Sequence, residues 1–227
     1  LVPNPLDFCI AQDMVALRAN QDIIYNYFLL AVLRSREIQL QITNTSVGDV
    51  IPHFKKSFFD RIMIPVPPLD IQKIIGNYYM AFSNKIEINK KINENLEQQA
   101  QSLFIEMFDS KESNFWKQGV LSDIAEITMG QSPSGNSYNE NGQGTVFFQG
   151  RAEFGFRFPT IRLFTSEPKR IAQKNDTLMS VRAPVGDLNV AHEECCIGRG
   201  LAAIHSKDNH QSFVHYTMFS LQRELDV

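Results

Sequence analysis

Cysteine is scarce in this 227-residue chain, and the three present, Cys9, Cys195 and Cys196, are an odd number with two of them adjacent. That count excludes a disulfide framework, and the spacing fits no zinc site. A reducing compartment is the expectation. No stretch approaches the roughly 20 consecutive apolar residues that a membrane helix needs, and the first residues lack the basic-then-apolar layout of a secretory signal. The composition therefore predicts a soluble, cytoplasmic protein with no membrane partner. A basic surplus is also missing: the net charge is −3 and the pI is near 6.0. This argues against a strongly basic, sequence-blind nucleic-acid binder and leaves room for a local basic face. An initiating methionine is lacking too, since the chain opens Leu1-Val2-Pro3 and stops at Asp226-Val227 inside a helical pattern. Both ends are expected to be internal to a longer protein.

Catalytic motifs are equally sparse. There is no Gly-x-x-x-x-Gly-Lys-Ser/Thr phosphate cradle, so any use of ATP must come from another chain. No Asn-Pro-Pro-aromatic or Asp-Pro-Pro-aromatic string of the amino-methyltransferase kind occurs. Gly198-Arg199-Gly200-Leu201-Ala202-Ala203 fits the loose dinucleotide pattern, but a strand follows it where a helix is required. Glu167-Pro168-Lys169 mimics part of a nuclease site, with a proline that disturbs a central strand and no suitable Asp upstream. His192, Glu193, Glu194 and Cys195 stand too close together for a standard zinc site. His205, His210 and His215 read as ordinary polar residues. The chain is expected to be non-catalytic on its own, with no metal or cofactor.

What is present is a composition of 43% hydrophobic and 21% charged residues, suited to one or two folded domains. The strongest local signal follows Pro67-Pro68, where about forty residues run without another proline. Proline at the entry and Asp70 in the first turn suit a helix start. Apolar residues recur at Ile71, Ile75, Tyr78, Phe82, Ile86, Ile92, Leu96, Leu103 and Met107 at helical spacing, so one stripe is sticky. At 1.5 Å per residue the helix reaches roughly 55–60 Å, with Gly76 and Ser83-Asn84 as permissive points for a bend. Asn89 falls within the stripe, either as a buried amide that fixes register against a partner helix or as a solvated residue on a rotated face.

On either side the character shifts to proline, glycine and β-branched or aromatic residues. Residues 62–66, 145–148, 176–181 and 201–204 read as strands. Residues 131–144 read as a long loop of functional interest, and 21–38 and 209–225 read as helices. The order Cys9-Ile10, Met14 to Leu17 and then a helix from Tyr25 to Arg36 is echoed about 187 positions later by Cys196-Ile197, Leu201 to Ile204 and a helix from Phe213 to Glu224. A repeat of that length implies duplication of a whole domain plus linker.

Three strings carry a specific resemblance: Gly48-Asp49-Val50-Ile51-Pro52-His53-Phe54, the run from Ile64 to Ile75, and the run from Lys85 to Glu97. Together they resemble the central conserved region of type I restriction-modification specificity subunits. Trp116, Gly119 to Asp123, Gly130-Gln131-Ser132-Pro133, Asn175 to Gly186 and Cys196 to Gly200 resemble the opening half of a target recognition domain of that family. The resemblance covers nearly the whole chain, and the order and spacing of the strings make it specific.

The resemblance implies an α+β fold, with mixed α/β target recognition domains and a long spacer helix that pairs as a coiled coil. It divides the chain into 1–68, the C-terminal half of a first recognition domain; 69–110, the conserved spacer helix; and 111–227, the N-terminal part of a second recognition domain. It implies a DNA-binding role in a restriction system: the subunit reads a bipartite site in double-stranded DNA and directs adenine methylation or ATP-dependent cleavage. The chemistry would belong to partners, namely methyltransferase (modification) subunits and a restriction/translocase subunit. Those partners would bring the S-adenosylmethionine, ATP and magnesium. The chain departs from the family pattern in lacking the first half of recognition domain one, the second half of recognition domain two and the second conserved helix. The alternative is an assembly scaffold that binds methyltransferase subunits without reading DNA.

Candidate DNA-contacting residues are Gln131, Ser132, Gln149, Arg151, Arg157, Arg162, Lys169, Arg170, Arg182 and Arg199. Arg grips guanine O6 and N7 with two hydrogen bonds and Gln does the same at adenine, while Ser, Lys and backbone amides hold phosphates. Arg151 to Arg162 interleaves arginine with Phe154, Phe156 and Phe158, which suits either a groove surface or a solvated face over an aromatic core. Arg182 to Gly186 and Gly198-Arg199-Gly200 read first as turn architecture. The candidate helix-pairing residues are Ile75, Tyr78, Phe82, Asn89, Ile92, Leu96 and Leu103.

Overall fold

The computed structural model describes residues 14–45, 56–108 and 119–225. The residues fall into two compact units, Leu1–Leu96 and Glu97–Val227. The strings 48–54 and Trp116, Cys9-Ile10 and residues 109–110 of the expected spacer lie wholly or largely outside the described residues.

In the first unit, helices α1 (Asn26–Leu33) and α2 (Arg36–Thr45) and a 3-10 turn (Lys56–Arg61) precede the start of the long helix α3 (Leu69–Phe108). A single helix over 21–38 was expected, and the structure divides it. The Ser35 N–H bonds back to Val32 O at 2.9 Å, a tight turn that ends α1. Ser35 Oγ then receives the Ile38 N–H at 3.4 Å, and α2 begins. A serine that satisfies the free N–H groups of a new first turn favours a restart over continuation. Phe28, Val32 and Ile38 form the buried core of this unit, with Ile62 and Ile64 packed against it.

Residues 62–66 were expected as a strand, and they form no regular element. Gln41 takes the place of a strand partner: its Oε1 receives the Met63 N–H at 3.0 Å and its Nε2 donates to Met63 O at 3.2 Å. The side-chain amide thus satisfies both backbone groups of Met63, as a neighbouring strand would. Residues 14–17, the counterpart of residues 201–204 in the sequence echo, also lack regular structure. A strand requires a partner, and none stands beside them among the described residues.

Helix α3 runs unbroken for 40 residues, as the spacing predicts. Gly76 is a contact point and not a bend: a Cβ there would lie 2.7 Å from the backbone N of Phe28, so only glycine lets α1 approach this closely. One turn earlier, Gln72 is 1% exposed. Its Oε1 receives the Tyr25 N–H at 2.8 Å, and its Nε2 donates to Pro67 O at 2.7 Å and Ile23 O at 3.1 Å. That amide ties the proline entry of α3 to the approach to α1.

The second unit is layered. A four-stranded sheet has the order β1-β9-β6-β7, all antiparallel, built from β1 (Ala125–Met129), β9 (Leu201–Ser206), β6 (Thr177–Ser180) and β7 (Leu188–Val190). A five-stranded sheet has the order β2-β4-β3-β8-β5, from β2 (Tyr138–Asn139), β4 (Leu163–Thr165), β3 (Thr145–Phe148), β8 (Cys195–Ile197) and β5 (Ile171–Ala172). Its only parallel pair is β3 with β8. Val146, Phe148, Leu178, Ile197, Leu201 and Ala203 join the sheets in one core. A short helix α4 (Leu121–Ile124) leads into β1, and on the far side of the four-stranded sheet Ala125 and Ile204 pack on Val214 and Met218 of helix α5 (Gln211–Leu225). Strand β9 is buried on both faces because its alternating residues feed these two cores.

Strands 145–148, 176–181 and 201–204 and helix 209–225 appear within two residues of their expected bounds. The loop 131–144 is more ordered than its composition suggests. It holds a 3-10 turn (Gly135–Ser137) and strand β2. Tyr138 stacks on Phe147 with centroids 4.8 Å apart, and Ser137 and Thr165 share a buried hydrogen bond of 2.7 Å between their hydroxyls.

Candidate nucleic-acid interface

Four chain segments meet where β1, β3, β6 and β8 end. The Gly130 N–H donates to Leu201 O at 2.9 Å, and the Gln131 N–H to Ile197 O at 3.0 Å. The Gly198 N–H donates to Phe148 O at 2.8 Å, and the Val181 N–H to Gly200 O at 3.0 Å. Ser132 Oγ receives the Arg199 N–H at 3.2 Å. The glycines are needed for the closeness of the junction: a Cβ on Gly130 would lie 2.1 Å from Gly198 O, and one on Gly198 would lie 2.9 Å from Gln149. Gly198-Arg199-Gly200 is turn architecture, as expected, and the turn also displays Arg199.

Gln131, Gln149, Arg182 and Arg199 all project from this junction, and all four are exposed. Their side chains have no hydrogen-bond or ion-pair partner among the described residues. Arg170 lies alongside, since its carbonyl receives the Ile197 N–H at 2.9 Å, and Lys169 precedes it; both are exposed. The loop bearing Arg182 is anchored at its base by Ser180. Its Oγ donates to Pro184 O at 2.9 Å and receives the Asp187 N–H at 3.0 Å. The result is a rigid platform of amides and guanidinium groups supported by two sheets.

The remaining candidate arginines are engaged within the protein. Arg151 Nε is 2.6 Å from Asp187 Oδ2. Arg162 lies 3.3 Å from Glu153 and 3.5 Å from Glu140. Arg157 Nη1 lies 2.7 Å from Glu97 Oε2 on α3 and 3.5 Å from the Tyr216 hydroxyl on α5. The interleaved aromatics also divide: Phe154 packs on the inter-sheet core, whereas Phe156 is 60% and Phe158 44% exposed. Sequence reasoning missed Glu97, Ser180 and Tyr216, since nothing in their local pattern separates Glu97 from Glu87 or Glu94.

The histidines have separate settings. His205 Nδ1 lies 2.5 Å from Asp176 Oδ1. His215 is buried against Thr177, and burial, with the Arg157 charge adding, pushes its pKa down from 6.5 to about 4, partly opposed by Glu97. It is therefore neutral at pH 7. Burial, with Asp176 adding, pushes the Cys195 thiol up from 9.0 to about 12. Among the described residues no group of three His, Cys, Asp or Glu stands ready for a metal ion. No described helix is long and apolar enough to cross a membrane.

On α3, the stripe residues Ile75, Tyr78, Phe82, Asn89, Ile92, Leu96 and Leu103 are all exposed. Tyr78 and Phe82 are each 65% exposed. Isolated apolar residues on a surface are ordinary, but a continuous helical stripe is the mark of a partner surface.

A two-sheet module with a rigid polar edge and a long helix with an uncovered apolar stripe defines a class: a recognition domain carried on a spacer. Residues 1–98 match the model of the type I restriction modification DNA specificity domain. The chain is similar to type I restriction-modification specificity subunits. It is 35% identical, over 91% of its length and 52% of the relative's, to the provisionally named type I restriction enzyme MjaX specificity subunit of Methanocaldococcus jannaschii. A shorter match, 36% identical over 37% of this chain and 19% of the relative, is to the MjaVIII specificity subunit of the same organism. Among solved structures, the S subunit from M. genitalium is similar in fold, with a TM-score of 0.52 and 19% identity over 88% of this chain and 54% of that one. The HsdS subunit from Thermoanaerobacter tengcongensis is 34% identical over 92% of this chain and 56% of that one, with a TM-score of 0.48. The chain thus spans about half the length of the first curated relative it matches.

Proposed function

We propose that the second unit reads one half of a bipartite site in double-stranded DNA, as the non-catalytic specificity component of a type I restriction-modification complex. The observation that carries this reading is the junction of residues 130–132, 148–150, 181–182 and 198–200, where unpaired Gln and Arg side chains share one backbone-locked edge. Arginine and glutamine are the side chains that pair bidentately with guanine and adenine edges. Lys169 and Arg170 beside them suit phosphate contacts. Discrimination by such groups requires that they be held before DNA arrives, and the locked turns supply that.

Helix α3 would act as the spacer. Its 40 residues measure about 60 Å at 1.5 Å per residue. That is more than one duplex turn of about 34–36 Å, enough to separate two half-sites. The exposed stripe supports pairing with a second spacer helix. Methylation and cleavage would rest on modification and restriction subunits, which would hold the S-adenosylmethionine, ATP and magnesium.

The test is selection from a randomised bipartite DNA library by this chain together with its modification subunits. The expected result is enrichment of one half-site sequence, with Arg199→Ala relaxing discrimination at one base position by roughly ten- to a hundredfold. Enrichment of no sequence would refute the reading. The same stripe favours a second reading, in which the chain assembles modification subunits without reading DNA. That reading predicts complex formation with no sequence enrichment.

A further inference from the structure

We propose that the Glu97–Arg157 ion pair is a positioning clasp that sets the angle between the recognition domain and its own helical segment, and so helps decide which gap between half-sites is accepted. The inference rests on the DNA-reading role proposed above and adds to it a residue pair that touches no DNA.

The loop that carries Arg157 is stapled to the edge of the four-stranded sheet. The Val190 N–H donates to Arg157 O at 2.8 Å, and Asn189 Nδ2 donates to Gly155 O at 2.9 Å. Gly155 admits no side chain, because a Cβ would lie 2.4 Å from Phe158 O. From this fixed base the guanidinium reaches Glu97 at 2.7 Å, with the two side chains only 34% and 21% exposed. A partly buried arginine–carboxylate contact is directional and weakly screened.

The rest of the attachment is of a different kind. Further along the helix, Phe104 meets Phe213 and Tyr216 at centroid distances of 5.7 and 6.1 Å, and Phe108 meets Phe213 at 4.9 Å. Aromatic contacts hold the surfaces together but tolerate tilt. Near Glu97 the interface is hollow: a cleft of about 440 Å³ lies there, lined by Gln101, Asn189 and His215 as well as by the ion pair. The ion pair spans that cleft.

Two attachment points seven residues apart are separated by about 10 Å along the helix. Loss of the upper one, allowing a slip of about 1 Å, tilts the domain by roughly 6°. Across a domain about 30 Å wide that moves its far edge by about 3 Å, close to the rise of one base pair in a duplex of about 34 Å per 10-bp turn. Gap choice is therefore the property most exposed to the clasp.

The test is the same library selection, with the chain and its modification subunits, scored separately for half-site sequence and for gap length. With Glu97→Gln, the half-site sequence is expected to persist, while enrichment of the preferred gap over gaps one base pair longer or shorter falls roughly fivefold. The exchange Glu97→Arg with Arg157→Glu is expected to recover most of that ratio. A gap ratio for Glu97→Gln within twofold of the original would overturn the clasp, as would equal losses of half-site and gap discrimination. Recovery by Glu97→Arg alone would also overturn it. Should the unmodified chain enrich nothing, the DNA-reading role fails and takes the clasp with it. A selective null result in the variant removes the clasp alone.

Discussion

Gln72→Leu should loosen the entry of α3 while leaving the sheets of the second unit untouched. Gln72 is 1% exposed and satisfies three backbone groups: the Tyr25 N–H, Pro67 O and Ile23 O. Each bond contributes about 1 kcal/mol net. Leucine also strands those groups in a dry site, at about 1–3 kcal/mol for each that water cannot reach. The better burial of leucine returns about 1–2 kcal/mol. With one of the three groups left dry, the balance is a loss of about 3 kcal/mol in local stability, and at about 1.4 kcal/mol per decade that is about a hundredfold faster amide exchange by local opening. Hydrogen exchange followed by mass spectrometry reads this directly. Peptides covering 20–45 and 69–80 should exchange about a hundredfold faster, whereas peptides covering β6 and β9 should keep their wild-type rates. A change below threefold in the first set would refute the view that this amide anchors α3 to α1. An equal change in both sets would refute its confinement to the first unit.

Three further outcomes follow from the second unit. Gly198→Ala places a Cβ 2.9 Å from the Gln149 backbone, and should cost about 2 kcal/mol in urea denaturation; Gly135→Ala, which meets nothing within 4 Å, should be neutral. His215 has a folded pKa near 4 against an ordinary 6.5, so between those values the unfolded state binds more protons than the native one. Stability is full above about pH 6.5 and falls as pH drops toward 4, by about 3 kcal/mol at most. His215→Asn should flatten that part of the pH–stability profile, and an unchanged slope would count against the assignment. Cys195 and Cys196 are both 0% exposed, so iodoacetamide at pH 8 should leave both unlabelled until denaturant is added; rapid labelling at either position in the native chain, read by peptide mapping, would contradict their burial.

Much of the architecture was legible in the residues. Helix α3 was readable because a helix writes its burial as a short period, and Pro67-Pro68 marks where it starts. Strands β3, β6 and β9 were readable because β-branched and aromatic runs bounded by turn residues have few other uses. The family resemblance came from strings spread along the chain, and it carried the reading of the helix as a spacer. The errors share one cause. Residues 62–66 carry strand composition, yet their partner is the side chain of Gln41, some twenty residues away in sequence. The break at Ser35 turns on a single side-chain hydrogen bond that competes with helix continuation.

The sequence by itself determined the long spacer, the mixed α/β domain and the shortage of catalytic motifs, because periodicity, composition and motif spacing are properties of neighbours along the chain. Only the tertiary structure decided which polar residues remain available. Ten side chains were equivalent candidates by type. Folding paired Arg151 with Asp187, Arg162 with Glu153 and Glu140, and Arg157 with a glutamate sixty positions away, while Gln131, Gln149, Arg182 and Arg199 came together on one edge with no side-chain partner among the described residues. Charge neutralisation acts over a few ångströms in space, and distance along the chain carries no record of it.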